Sequence, residues 1–223
     1  LPRALELYEQ SITEPGITDS DGLEVPPYSI TTGFNATGNV LNALTENGLN
    51  DTAYQLFEST EYASWLYPVT QGATSIWERW NGYTNELGFN GNNSMNSFNH
   101  YSFGAVFEWM MAYQLGIAAD PSAPGYQHFI LQPTVGGSFD YAGGSYETAY
   151  GKIMSHWLVK DGEFREYDAW VPANTGATLY LPAVGEVNAP EEVTVVGPVT
   201  HNGIEATCFE LPAGFWHIGI TNG

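Results

Sequence analysis

Two short runs hold the residues whose types and spacing suit chemistry. In ATSIWERWNGY, residues 73–83, Glu78 stands beside Arg79 and between Trp77 and Trp80. In NNSMNSFNHYSFGAVFEW, residues 92–109, His100 precedes a helical pattern. A carboxyl framed by indoles is raised by desolvation and lowered by a neighbouring guanidinium, so Glu78 suits proton transfer only if Arg79 turns away. Sequence neighbours often do point apart, yet by the residues alone a Glu78–Arg79 ion pair at a surface outweighs catalysis, because structural pairs also perturb carboxylates. His100, at or near the first turn of a helix, is disfavoured as imidazolium and can hydrogen-bond a hydroxyl as a neutral ring. Capping or packing is an equally good account of it. Trp65, Trp77, Trp80 and Trp109 suit the C–H faces of a sugar, and they suit a core as well.

Other chemistries find no footing. The chain has no GxSxG, phosphate loop, HExxH or dinucleotide fingerprint. GGSFDYAGGS is glycine-rich without a following helical pattern and reads as a turn between strands. Cys208 is alone, which excludes an intrachain disulfide and a cysteine zinc site. No structural zinc and no redox chemistry are expected. With 25 acidic residues against 5 basic ones the formal charge is -20, which argues against nucleic acid or an anionic membrane as partner and suits a neutral substrate. No apolar run approaches the ~20 residues that span a bilayer, and a soluble protein is expected. Low lysine, acidity and the sequons at Asn35, Asn50 and Asn92 lean towards secretion. The opening LPRALELYEQ has no initiator Met or signal pattern and reads as a cleavage boundary.

The elements that must position Glu78 and His100 change character along the chain. Before about residue 118 the periodicity is helical. Val106, Trp109, Met110 and Tyr113 share one face of a helix from about Tyr101 to Gln114, with Asn99 able to cap it and Gly116 after it. Val40, Leu41 and Leu44 mark a helix that Gly48 ends, and DTAYQLFES starts another, which predicts an antiparallel αα-hairpin. GIAADPSAPGY reads as a linker or strand lead-in. After it HFILQP, KIMSHWLV, REYDAWV, ATLYLP, EVTVVG and FWHIGI read as strands, with tight turns at Asp161-Gly162 and Asn202-Gly203. Helices followed by short strands predict an α+β chain of two domains, 1–118 and 119–223, the second a sandwich or barrel.

WLYPVTQGATSIWERWNGY, MNSFNHYSFGAVFEW, PGYQHFILQP and SYETAYGKIMSHW together resemble the C-terminal part of the α-L-rhamnosidases of glycoside hydrolase family 78. The resemblance runs from TTGFNATGNVLNALTENGL at residue 31 to ATLYLPA near residue 183. It implies the last helices of an (α/α)6 catalytic barrel followed by an antiparallel β-sandwich, with no cofactor. It also implies that a rhamnosylated glycoside or polysaccharide is hydrolysed with inversion. Carried over, Glu78 is the general base and His100 a sugar contact, with Trp77, Arg79 and Trp80 as a supporting shell.

The family's general acid lies in an Asp- and Arg-rich motif far upstream that these 223 residues lack. The resemblance therefore implies a missing N-terminal part, a chain inactive by itself, and an apolar helical face left exposed. Two other readings stand beside it. One is a non-catalytic carbohydrate-binding or assembly fragment; the other is a related barrel acting on another sugar.

Overall fold

A computed structural model describes residues 2–18, 24–89, 94–182 and 186–221; the sequon at Asn92 lies outside them. The chain divides into two compact units, Leu1–Glu108 and Trp109–Gly223. The division falls upstream of residue 118, because Trp109 and Tyr113 are buried and the carbonyls that follow them are taken by strands of the second unit.

The first unit contains α1 (Pro2–Thr13), α2 (Phe34–Thr45), α3 (Asn50–Glu58) and the single turn α4 (Tyr67–Thr70). The expected αα-hairpin is α2 and α3: Val40, Leu41 and Leu44 face Ala53, Tyr54 and Leu56 in the buried stripe. Gly48, at φ +79°, makes the left-handed turn between them, and Leu49 N–H donates to Leu44 O at 3.0 Å. No sequence reading anticipated α1, which is fastened by side chains: Tyr8 Oη donates to Val40 O, and Thr52 Oγ1 donates to Glu9 at 2.8 Å. Among the described residues, no helix is long and apolar enough to cross a membrane.

The expected helix from Tyr101 is a composite of a 3₁₀ turn (Ser102–Ala105), α5 (Val106–Trp109) and a π turn (Met110–Gln114). Asn99 does not cap it; its start lacks a side-chain cap and the Asn99 N–H is engaged with Ser97 Oγ. The chain reverses at Gly116, φ +82°, where a Cβ would sit 2.3 Å from Pro133 N, so only glycine fits.

The second unit is a β-sandwich of eight strands: β1 (Ile117–Ala119), β2 (His128–Leu131), β3 (Tyr141–Thr148), β4 (Gly151–Lys160), β5 (Glu163–Pro182), β6 (Glu186–Asn188), β7 (Thr194–His201) and β8 (Ile204–Thr221). REYDAWV and ATLYLP, expected as two strands, are one long β5 with a register break between Val171 and Gly176. Pro172 and the left-handed Asn174 bend it there, and Gly214 bends β8 opposite. Each long strand thereby serves both layers. Before the bend β5 pairs with β4 and the end of β8; after it, β5 pairs with β2 and the start of β8. Every pairing is antiparallel except β2 with β5, which is parallel.

Alternation in both layers sends Phe129, Leu131, Trp157, Tyr167, Leu179 and Phe209 into one continuous core. Asp161-Gly162 and Asn202-Gly203 form the expected tight turns, with positive φ at both residues of each. YAGGS proves to be strand rather than turn. A Cβ on Gly143 would meet the His156 ring at 2.7 Å and one on Gly144 would meet Leu115 at 2.6 Å, so these glycines make room for neighbours.

Candidate functional site

The two runs that hold Glu78 and His100 are the arms of one loop, stapled rung by rung. Ser75 Oγ donates to Phe98 O at 2.5 Å, His100 N–H to Ile76 O at 2.9 Å, and Glu78 N–H to Ser97 O at 2.9 Å. Further out, Asn96 Nδ2 donates to Gly82 O at 2.8 Å. Gly82 is required there, since a Cβ would lie 2.5 Å from Asn96 Oδ1. Backbone pairing of this kind fixes a loop without regular secondary structure, because each bond satisfies a group that would otherwise need water.

Glu78 is half-buried, and its Oε2 accepts the Ser97 N–H at 2.8 Å. The same pair of residues is thus bonded twice, once through the backbone and once through the carboxylate. A carboxylate has about four lone-pair positions, so this one contact orients the group while leaving capacity to accept a proton from water. Trp77 and Trp80 do not close over it as one frame. Trp77 is buried edge-on to Phe98, with centroids 4.9 Å apart, whereas Trp80 stacks on Phe103 at 3.7 Å and meets Trp65 edge-on. Trp65 donates its indole N–H to Phe103 O at 2.9 Å. Trp65, Trp77 and Trp109 are core residues, the second of the two readings open to them. Arg79, next to Glu78, is half-buried.

His100 lines a cleft of about 810 Å³ together with Phe34, Asn35, Ile76, Asn99 and Tyr101. Its ring stacks on Phe34 at 4.9 Å and lies parallel to Tyr101, 4° apart in plane. The Ser102 N–H approaches Nδ1 at 3.5 Å, the long limit of a hydrogen bond. His100 thus stands just before a 3₁₀ turn that has no side-chain cap, and its ring lines the cleft. The loop brings Glu78 and His100 to neighbouring rungs. Sequence reasoning missed Phe34 and Tyr101. The signal for Phe34 was its place one turn before Thr37, Leu41 and Leu44 on the apolar stripe of α2, overhanging the core. Among the described residues, no cluster of three or more His, Cys, Asp or Glu could hold a metal ion.

Comparison with known proteins gives this geometry a context. Residues 20–113 match the model of the bacterial alpha-L-rhamnosidase six-hairpin glycosidase domain, and residues 116–195 that of the bacterial alpha-L-rhamnosidase C-terminal domain. An alpha-L-rhamnosidase of Streptomyces avermitilis is 37% identical over 161 residues, covering 72% of this chain and 15% of the relative. One from Formosa agariphila is 40% identical over 151 residues, covering 68% and 16%. The solved structure of the Streptomyces avermitilis alpha-L-rhamnosidase complexed with L-rhamnose superposes with a TM-score of 0.73 at 28% identity, covering 97% of this chain and 21% of that one. The chain thus spans roughly a sixth of the length of the curated relatives it matches, between 15% and 18%. Helical hairpin first and β-sandwich second, with both family models in matching order, the chain belongs to the α-L-rhamnosidase family.

Proposed function

We propose that this chain is the C-terminal portion of an inverting α-L-rhamnosidase that releases terminal rhamnose from a glycoside or polysaccharide. Glu78 is the general base and His100 a contact to the sugar. The observation that carries the reading is the stapled loop: it holds an oriented carboxylate and an imidazole on adjacent rungs, the imidazole lining a cleft with Asn and aromatic side chains.

Inversion needs two carboxyl groups about 6.5–9.5 Å apart, one deprotonating the attacking water and the other protonating the leaving oxygen. Glu78 takes the water's proton as the C–O bond to the leaving group breaks. His100 hydrogen-bonds a sugar hydroxyl and fixes the ring. The leaving oxygen takes its proton from an acid supplied by the rest of the enzyme, whose relatives are several times longer than this chain.

The test is Glu78→Gln in the enzyme that contains this chain. Loss of a general base costs about 100- to 10,000-fold in rate, and that loss in kcat is the expected result. Retention of most activity would remove Glu78 from the mechanism. NMR of the first product anomer checks inversion, which predicts β-L-rhamnose from an α-L-rhamnoside.

A further inference from the structure

The outward face of one sandwich layer carries a second, unassigned cluster. Neighbouring residues Ser155, Trp157, Tyr167, Ala169, Trp216 and Ile218 point into the core. The residues that alternate with them therefore face out. In register across β4, β5 and β8 lie two adjacent rows: Met154, Trp170 and Phe215, then His156, Asp168 and His217. Trp170 is 44% and Phe215 52% exposed, and they are direct cross-strand partners on this face.

Beside it Asp168 is built in from one side only. Its Oδ1 is 2.7 Å from His217 Nδ1, which donates to it, whereas its Oδ2 lies 3.7 Å from His156 Nδ1, beyond hydrogen-bond length. The bare backbone of Gly143 explains that gap: it accepts the His156 ring, which leans over β3 instead of closing on Asp168. An oriented acceptor thus stands one strand position from an exposed indole.

We propose that this face binds a neutral pyranoside. The exposed Trp170 indole, with Phe215 on the adjacent strand, takes the C–H face of a sugar ring, and the Asp168 Oδ2 accepts a hydroxyl from its edge. Charge selects against other small ligands. Asp168 and the half-buried Glu166 stand on the same face, Lys152 further along β4 is paired with Glu147, and the chain carries a net -20, so an anion is repelled. A hydroxyl donor on an apolar ring matches both parts of the cluster. This site lies wholly on the second unit and is independent of the role given to Glu78.

The experiment is an NMR titration of the 223-residue chain with methyl α-L-rhamnopyranoside and, as the charged comparator, D-galacturonate. Saturable shifts at the Trp170 indole and the His217 ring are expected with the neutral sugar, and weaker ones with the anion. Trp170→Ala and Asp168→Asn should each weaken binding by about tenfold. Phe215→Ala gives a second test of the aromatic side chains on this face should either of these lose its far-UV circular dichroism. Shifts confined to His100 and its cleft, or unchanged binding in folded Trp170→Ala and Phe215→Ala, would overturn the proposal. So would sedimentation showing a dimer that Trp170→Ala dissolves, because a second copy would then be the occupant.

Discussion

The helical unit and the sandwich dispose of their apolar side chains differently. In the sandwich, two long bent strands are shared by both layers, and their alternation closes a continuous core in which Phe129, Leu131, Trp157, Tyr167 and Phe209 are fully buried. In the helical unit Phe34 on α2 and Phe107 on α5 stay exposed, as do Ile76, Leu87, Phe89, Met95 and Tyr101 in its loops, whereas the exposed aromatics of the sandwich, Trp170 and Phe215 among them, stand on the outward face of its strands. Strand register is self-limiting, since each side chain is assigned a face by parity; a helix stripe is satisfied only by another element laid along it. The proposed chemistry sits on a loop of the helical unit, which is held by a ladder of hydrogen bonds and by Trp77 packed edge-on to Phe98.

The contrast can be broken most severely by rate. Glu78→Gln should lower kcat about 100- to 10,000-fold in the intact enzyme while leaving the unfolding midpoint of the chain nearly unchanged, because the amide oxygen still accepts the Ser97 N–H. A large fall in stability would show that the carboxylate is structural. Next is Trp157→Ala, which removes a fully buried indole and its 2.7 Å bond to Gln114 O. It should destabilise by about 3–5 kcal/mol in denaturant unfolding, with the sandwich signal lost first.

Ser155→Ala is a finer probe. Ser155 Oγ joins Leu115 O at 2.5 Å to the buried Tyr167 hydroxyl at 3.0 Å, and that hydroxyl is already held well above its usual range by burial. Leaving it without this partner should cost about 1–3 kcal/mol. The smallest effect is in pH. His201 is stacked on Tyr180 at 3.7 Å and donates Nε2–H to Gln132, and burial holds its pKa below the usual 6.5. The unfolded chain then binds more protons than the folded one below that value, so stability is complete above it and declines as pH falls towards the folded pKa. Thermal midpoints between neutral pH and pH 5 should show that decline, and His201→Phe should flatten it.

What the sequence made legible was local. Asp161-Gly162 and Asn202-Gly203 need only their own φ angles, and the α2–α3 hairpin needs only a stripe, a glycine and a short loop. What it hid depends on distant partners. Gly143 and Gly144 looked like a turn because the reason for them is His156 on the next strand and Leu115 just after the π turn. Pro172 looked like the end of a strand because the bend it makes is useful only where β5 changes layers. At the site, Glu78 and His100 were both visible as residue types. Their placement on one ladder was not, since the rungs Ser97 and Ile76 supply are backbone groups without a signature of their own.

The pair of hydrogen bonds between Glu78 and Ser97 has a spectroscopic consequence. An amide proton given to a carboxylate is polarised more strongly than one given to a neutral carboxylic acid. Ser97 N–H, 2.8 Å from Oε2, is therefore a built-in indicator of the charge on Glu78, readable by nitrogen-15 chemical shift and hydrogen exchange without touching the carboxylate itself.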